Sequence, residues 1–269
     1  MPVQIAKLPD GRTISCVNAY EVDFSVHEIF SDDLPARGIA LPVDGVYLDV
    51  GANIGLFSLY LRDRCPTARI IGFEPMPEAF EALKCNMESM SPPGEPVKLA
   101  MGEKAGWAEF DYFPGVAALS TANREVGRKM SDGLRQLLKG GTADAGVNDV
   151  LQKTGAADIG VDGGFLEDLL RPQTVRAEIA TLSEQIERLG IEVVDLLKID
   201  TEGAEREVLA GIEETDWPKI RQLLVEVHLG DETAKVMAAE LNRRGFATSI
   251  GQHPLSQKGA EVFHIYAAR

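Results

Sequence analysis

Val46-Tyr-Leu-Asp-Val-Gly-Ala-Asn-Ile-Gly55 decides the fold of this chain. Val46, Leu48 and Val50 are the apolar beats of a buried strand, and Asp49 stands near its end. Gly51 and Gly55 flank Asn53 in a tight turn. Glycine has no Cβ to obstruct a ligand there, and asparagine tolerates positive φ better than most residues. Leu56-Phe-Ser-Leu-Tyr-Leu61 then opens an apolar helical run. The free N–H groups at the start of a helix point at whatever occupies the turn before it. Such a turn suits a dinucleotide or another adenosine-containing cofactor. Downstream, Ala68-Arg-Ile-Ile-Gly-Phe-Glu74 reads as a second strand ending in a carboxylate. Glu74 lies roughly 20 residues after the turn, where an acid accepts both ribose hydroxyls of an adenosine.

Length and composition bound the rest. A chain of 269 residues suits one large α/β domain, and 45% apolar residues can bury a substantial core. No apolar run reaches the roughly 18–20 residues of a membrane helix. No positive segment followed by an apolar core marks a secretory signal. Cys16, Cys65 and Cys85 are scattered, without a CxxC pair or a disulfide framework, so a reducing, cytoplasmic setting is expected. A net charge of -15 argues against a nucleic-acid substrate, which calls for a basic footprint.

Outward from the opening stretch, strands and helices alternate. Residues 1–44 read as an N-terminal cap, with a hairpin around Asp10-Gly11 and a helix over 21–30. Strand 46–50 with helix 54–64, and strand 68–74 with a helix from Pro77 to about Met90, form two α/β units. Strands follow at 97–100 and 107–113. Residues 114–173 are rich in Gly, Ala and Asp and read as an insertion, a lid over the active site. The core resumes with strand 174–180 and a helix over 182–189, for which Thr181 and Glu184 supply a capping box. Next come strand 193–200, helix 204–210, strand 222–228, helix 231–243 and a closing pair at 246–250 and 262–268. This pattern makes an open, mostly parallel sheet whose ligands bind at the carboxyl ends of its strands. Asp49, Glu74, Asp200 and His228 all fall at those ends. Lys198, two residues before Asp200, shares its strand face and holds its carboxylate. Glu226 is expected to alternate away from His228 and to pair elsewhere in the sheet.

The residues leave two cofactor classes open. A nicotinamide enzyme would hold pyrophosphate in the turn; a methyltransferase would hold S-adenosylmethionine. The turn lacks a strict GxGxxG because position 53 is Asn. A carboxylate at Asp49 repels a pyrophosphate but suits the ammonium of a methionine moiety, directly or through water, so charge complementarity favours the methyltransferase.

Tyr47-Leu-Asp-Val-Gly-Ala-Asn-Ile-Gly-Leu-Phe-Ser58, Gly72-Phe-Glu-Pro75, Leu197-Lys-Ile-Asp-Thr-Glu-Gly-Ala-Glu205 and Val225-Glu-Val-His228 together resemble the FkbM family of S-adenosylmethionine-dependent methyltransferases. His27-Glu-Ile-Phe30 is similar to that family's entry segment. The resemblance covers about residues 20–113 and 174–230. It implies a class I, Rossmann-like methyltransferase fold: a seven-stranded, mostly parallel sheet with helices on both faces, closed by an antiparallel pair. It implies a cofactor held against Asp49, Gly51, Asn53 and Gly55, with Glu74 on the ribose. It also implies that Asp200, Glu202 and His228 surround the reacting centre. Val116-Ala-Ala-Leu-Ser-Thr121 loosely resembles a further family segment, which makes Ser120 a substrate candidate.

The expected activity is O-methylation of a hydroxyl on a polyketide, peptide or sugar intermediate. A base must reach the acceptor hydroxyl, and His228 or Asp200 is expected to serve, oriented by Glu202. A Mg²⁺ ion on Asp200 and Glu202 is the less favoured alternative, because two carboxylates make a thin site. Arg124, Arg128, Lys129, Arg135 and Lys139 form a basic stretch in a very acidic chain. It reads either as an ordinary solvated helix face or as a docking surface for an acyl or peptidyl carrier protein presenting a tethered substrate. The alternatives are an NAD-dependent oxidoreductase and a catalytically silent cofactor-binding module.

Overall fold

The computed structural model describes residues 3–114, 116, 120–123, 125–128, 131–132, 170–252 and 262–269. Its centre is a seven-stranded sheet. The strands of that sheet are β3 (Val46–Val50), β4 (Arg69–Phe73), β5 (Glu95–Val97), β9 (Leu196–Ile199), β10 (Gln222–Val227), β11 (Ala247–Gln252) and β12 (Phe263–Ala268). Their spatial order is β11-β12-β10-β9-β3-β4-β5. Neighbours from β5 to β10 are parallel, while β12 runs antiparallel to both β10 and β11. The strand order reverses between β3 and β9, which makes the crevice above their carboxyl ends the binding position of this architecture.

The central strands are apolar on both faces because helices cover both. On β3, Leu48 and Val50 face one core cluster and Tyr47 the other. The first cluster takes Leu182 and Ile186 from α4 (Leu182–Arg188), Val208 from α5 (Glu205–Ala210), and Ala234, Met237 and Leu241 from α6 (Asp231–Arg243). The second takes Phe57, Tyr60 and Leu61 from α2 (Leu56–Arg64), and Leu83 and Met87 from α3 (Pro77–Ser89). The expected capping box at α4 is present, with Thr181 Oγ1 accepting from Glu184 N and Glu184 Oε2 accepting from Thr181 N.

Two sequence expectations change. The strand expected over 97–100 splits, because residues up to Val97 belong to β5 while Ala100–Met101 forms β6 in another sheet. That second sheet, ordered β6-β8-β7, also takes β7 (Gly106–Tyr112) and β8 (Gln173–Ala180). An antiparallel ladder with β7 along nearly its whole length draws β8 out of the central sheet.

At the N-terminus, β1 (Gln4–Lys7) and β2 (Thr13–Cys16) form the expected hairpin. Asn86 of α3 pins it, accepting from Ser15 N at 2.8 Å and donating to Ser15 O at 2.8 Å. Helix α1 (Ala19–Ser31) follows. Of the segment expected as a lid, residues 133–169 lie outside the described residues. Its start packs on the 202–203 turn: Thr121 Oγ1 donates to Glu202 O at 2.5 Å and Asn123 Nδ2 to Gly203 O at 3.4 Å. No described helix is long and apolar enough to cross a membrane.

Candidate active site

The turn after β3 is built as its sequence demands. Gly51 (φ 75°), Asn53 (φ 48°) and Gly55 (φ 88°) all take left-handed backbone. At Gly51 the need for glycine is absolute, because a Cβ there would stand 1.6 Å from Asp200 O. The turn is tied to β4 through Gly51 N and Ala52 N, both donating to Phe73 O. Gly55 forms the N-cap of α2.

Glu74 completes this cradle. Its Oε2 accepts from Asn53 N at 2.9 Å and its Oε1 from Met76 N at 2.8 Å. One lone pair on each oxygen is thus fixed by backbone, and the carboxylate can accept two further donors. Burial pushes its pKa up to about 7, against the pull of those two amides. Asn53 Oδ1 is buried and accepts no hydrogen bond.

Asp49 lies deeper than a surface contact: its side chain is fully buried. Ser58 Oγ donates to its Oδ2 at 2.8 Å, and Lys198 Nζ stands 3.5 Å from its Oδ1. That Oδ1 accepts no hydrogen bond. Lys198 also reaches Asp200 Oδ2 at 3.0 Å and donates to Gly51 O at 3.2 Å. Burial opposes the charge on Lys198, but Asp200 and Asp49 hold its pKa above the ordinary lysine value. The expected tether between Lys198 and Asp200 is therefore present, and it extends to Asp49 and the glycine turn.

Strand parity assembles the second half of the site. Leu196, Leu224 and Tyr266 face the cluster covered by α2 and α3. Residues two apart on a strand share a face. Lys198 and Asp200 therefore follow Leu196, Glu226 and His228 follow Leu224, and His264 accompanies Tyr266. This corrects the expectation for Glu226, which does not alternate away from His228: its Oε1 lies 3.4 Å from His228 Nε2. Its other oxygen, Oε2, meets His264 Nε2 at 3.1 Å across the ladder that pairs residues 226 and 264.

His228 is the hub. Its Nδ1 meets Glu205 Oε1 at 3.0 Å. Its Nε2 stands 3.2 Å from Glu202 Oε2 and 4.0 Å from Asp200 Oδ1. Burial works against a charged imidazole, yet Glu202, Glu205 and Glu226 together carry the His228 pKa well above its usual value. Burial raises Glu202 well above the carboxylate range, with repulsion from Asp200, Glu226 and Glu205 adding to it and His228 opposing it. Asp200 is raised too, by burial and by Glu226, against Lys198 and His228. Glu226 goes the other way: burial is overcome by its hydrogen bonds to His228 and His264, which hold it well below the carboxylate range. The His228 side chain is only 3% exposed, whereas Asp200 and Glu202 keep 25% and 19%. The acids therefore form the accessible face and the imidazole backs them.

The model of the methyltransferase FkbM domain matches residues 49–247, which span both halves of this site. This chain belongs to the FkbM methyltransferase family. It is 33% identical over 277 residues to the 31-O-demethyl-FK506 methyltransferase FkbM of Streptomyces tacrolimicus, covering 99% of this chain and 97% of that protein. It is 35% identical over 269 residues to the AMB antimetabolite synthetase AmbE of Pseudomonas aeruginosa, covering 97% of this chain but only 12% of that much longer protein. The crystal structure of the FkbM methyltransferase from Methylobacillus flagellatus shares the fold, with TM-score 0.50 at 11% identity, covering 85% of this chain and 44% of that one. The chain thus carries an S-adenosylmethionine-dependent methyltransferase domain of the class I fold. Membership in this family sets aside the nicotinamide alternative.

The residues present suit that cofactor. In the FkbM domain described here, Asn53 Oδ1 and Asp49 Oδ1 are buried acceptors without hydrogen-bond donors, and Glu74 holds a fixed pair of lone pairs beside them. Asp200, Glu202 and His228 come together as expected. Ser120 stands apart from them in its bonding: its Oγ accepts from Phe113 N at 3.2 Å and closes a local loop. Arg128 is exposed, whereas Arg124, Lys129, Arg135 and Lys139 fall outside the described residues. Sequence reasoning missed Glu205, His264 and Tyr266. Glu205 closes the Leu197–Glu205 motif and was available there; the other two required knowledge of the strand register.

Proposed function

We propose that this FkbM domain methylates a hydroxyl oxygen of a natural-product intermediate, with Glu202 as the proton acceptor. The observation that carries this reading is the convergence of Glu202 and Asp200 on His228 at the carboxyl ends of β9 and β10, beside the glycine turn. S-adenosylmethionine supplies an electrophilic methyl on a sulfonium. When the acceptor oxygen takes that methyl, the bond to sulfur breaks with its electron pair and the hydroxyl proton goes to a base. Glu202 suits that role because a raised pKa brings a carboxylate closer to the pH at which it must accept a proton. Carboxylates face both ring nitrogens of His228 and favour its imidazolium form, which has no lone pair to offer. Its part is to balance the charge of Glu202 and hold it in place. This exchanges the roles expected from sequence, where His228 or Asp200 was the base and Glu202 its orienter. Asp200, held by Lys198, orients the acceptor hydroxyl.

Asp200, Glu226 and His228 also bring one ligand atom each within 4.8 Å of one another. A metal needs the lone pair of a neutral imidazole. In this domain the Nδ1 of His228 faces Glu205 and its Nε2 faces Glu202 and Glu226, an arrangement that favours a proton on each nitrogen. We therefore read these groups as a proton network rather than as a metal site, a different set from the Asp200 and Glu202 pair considered for Mg²⁺ from sequence.

The acceptor class rests on the relatives, one of which is by name a demethyl-FK506 methyltransferase and another an antimetabolite synthetase. Incubation with methyl-¹³C-labelled cofactor and a panel of macrolide, glycoside and thioester-tethered hydroxy acids tests the reading. A methoxy carbon signal is the expected product; labelled nitrogen or carbon would refute it. Glu202→Gln is expected to lose about 100-fold or more in turnover. Near-normal turnover in that variant would remove Glu202 from the role.

The basic stretch supports docking of an acidic carrier protein. Charge reversal at Arg128 and Arg135 is then expected to weaken turnover of the tethered acceptor and spare a free one. Equal losses on both would end this part of the proposal.

A further inference from the structure

A chain of polar contacts leaves the catalytic cluster on the side away from the cofactor turn. Glu226 Oε1 and Glu202 Oε2 both face His228 Nε2, at 3.4 and 3.2 Å. Glu226 Oε2 is held by His264 Nε2 at 3.1 Å. His264 Nδ1 meets Tyr266 Oη at 3.2 Å, and Tyr266 Oη donates to Asp32 Oδ2 at 3.0 Å. Asp32 is the C-cap of α1, and the Arg37 guanidinium lies 3.9 Å from its Oδ1 and 5.4 Å from the centre of the Tyr266 ring. Tyr266 has a single hydroxyl proton and gives it to Asp32, so it must accept from His264. Both ring nitrogens of His264 then act as donors, Nδ1 to Tyr266 Oη and Nε2 to the Glu226 carboxylate, so the contacts call for an N–H on each.

From this geometry we propose that His264 and Tyr266 are positioning residues for methyl transfer, acting through Glu226 on the His228–Glu202 pair. The inference rests on the reading of Glu202 as the base. The physical reason is competition for one proton. His228 has one Nε2–H, and both Glu202 Oε2 and Glu226 Oε1 lie within ion-pair distance of that nitrogen, the Glu202 oxygen without a hydrogen bond of its own. With its Oε2 engaged by His264, Glu226 stays ionised and needs less from His228. The Nε2–H is then available to Glu202, and the charge of Glu226 keeps Glu202 basic. The titratable and charged groups around the pair are Lys198 from β9, Asp200, Glu202 and Glu205 beyond it, Glu226 from β10, His264 and Tyr266 from β12, and Asp32 with Arg37 from the N-terminal segment. The cap formed by the chain's first 44 residues therefore supplies Asp32 to the end of the same network.

Without His264, Glu226 loses the partner that keeps it ionised and takes up a proton more readily. Loss of that negative charge lets the pKa values of Glu202 and His228 fall. Three variants separate this from simple packing: His264→Leu removes both nitrogens, His264→Gln restores an N–H toward Glu226, and Tyr266→Phe removes only the hydroxyl. His264→Leu is expected to lower kcat about 10-fold, to move the acid limb of its pH profile down by about one pH unit, and to leave KM for S-adenosylmethionine within about twofold. His264→Gln is expected to recover most of kcat, and Tyr266→Phe to fall between them. An unchanged acid limb in His264→Leu, or a loss that His264→Gln does not relieve, would overturn the proposal. A second readout needs no turnover: the ¹⁵N titration of His228, one of only four histidines in the chain. Its midpoint is expected to drop in His264→Leu while S-adenosylhomocysteine still binds, which certifies the fold. An unchanged midpoint would overturn the coupling even if Glu202 is the base. A shifted midpoint with a fully active Glu202→Gln would instead uphold the coupling and fault the base assignment.

Discussion

Cofactor affinity is expected to depend on pH through Glu74. In the free protein, burial places its pKa at about 7, and its two oxygens are fixed by Asn53 N and Met76 N. Ribose hydroxyls donate, so they bind the ionised carboxylate. A ligand that selects one form of a site has its affinity reduced by the fraction in that form. With a midpoint of about 7, roughly one-tenth of Glu74 is ionised at pH 6 and roughly nine-tenths at pH 8. The Kd for S-adenosylhomocysteine is therefore expected to fall about 10-fold from pH 6 to pH 8, or about 1.4 kcal/mol. Isothermal titration calorimetry across this window measures it. Glu74→Gln is expected to bind about 10- to 100-fold more weakly at pH 8, through loss of a charged acceptor, and to lose the slope. Any slope left in Glu74→Gln belongs to the ligand and is subtracted. A flat Kd in the unmodified protein would refute the assignment of Glu74 to the ribose. Stability carries the opposite sign. The native state holds the Glu74 proton more tightly than the unfolded chain does. The ligand-free protein therefore has the full benefit below pH 4.5 and loses it as pH rises through about 7, by on the order of 3 kcal/mol relative to Glu74→Gln.

Gly51→Ala puts a methyl 1.6 Å from Asp200 O at a φ of 75°, and is expected to cost about 3 kcal/mol or more in urea unfolding; a loss below about 1 kcal/mol would mean that β3 and β9 separate easily at the switch point. Lys198→Met strips the cation from buried Asp49 and from Asp200, an expected loss of about 3–5 kcal/mol, and adding Asp49→Asn should return part of it. If the second substitution restores nothing, the Lys198–Asp49 contact is not what Lys198 contributes. Thr181→Ala breaks the α4 capping box and should cost about 1 kcal/mol of stability while leaving cofactor affinity unchanged. A change in that affinity would show that α4 communicates with the site.

Local sequence determined the elements and the first half of the site. The glycine turn, Glu74 and the alternation of strands and helices are short-range facts, since a left-handed backbone needs Gly or Asn and a covered strand needs apolar residues on both faces. The strand-end positions of Asp200 and His228 were legible for the same reason, while Glu202, in the turn after Asp200, entered through the family resemblance. Two things were decided only by the tertiary structure. One is sheet membership: β8 alternates Val175, Ala177 and Ile179 with Thr174, Arg176 and Glu178, and only its ladder with β7 assigns it to the second sheet. The other is charge. Glu226 pairs with His264 because register sets residues 226 and 264 opposite each other, and no local pattern encodes register between strands so distant in sequence. The same assembly crowds Glu202, Glu205 and Glu226 around one buried imidazole, which holds the proton on His228, while burial raises the pKa of Glu202. Sequence names the ionisable groups; which of them holds the proton depends on burial and on neighbours that only the folded chain brings within a few ångströms.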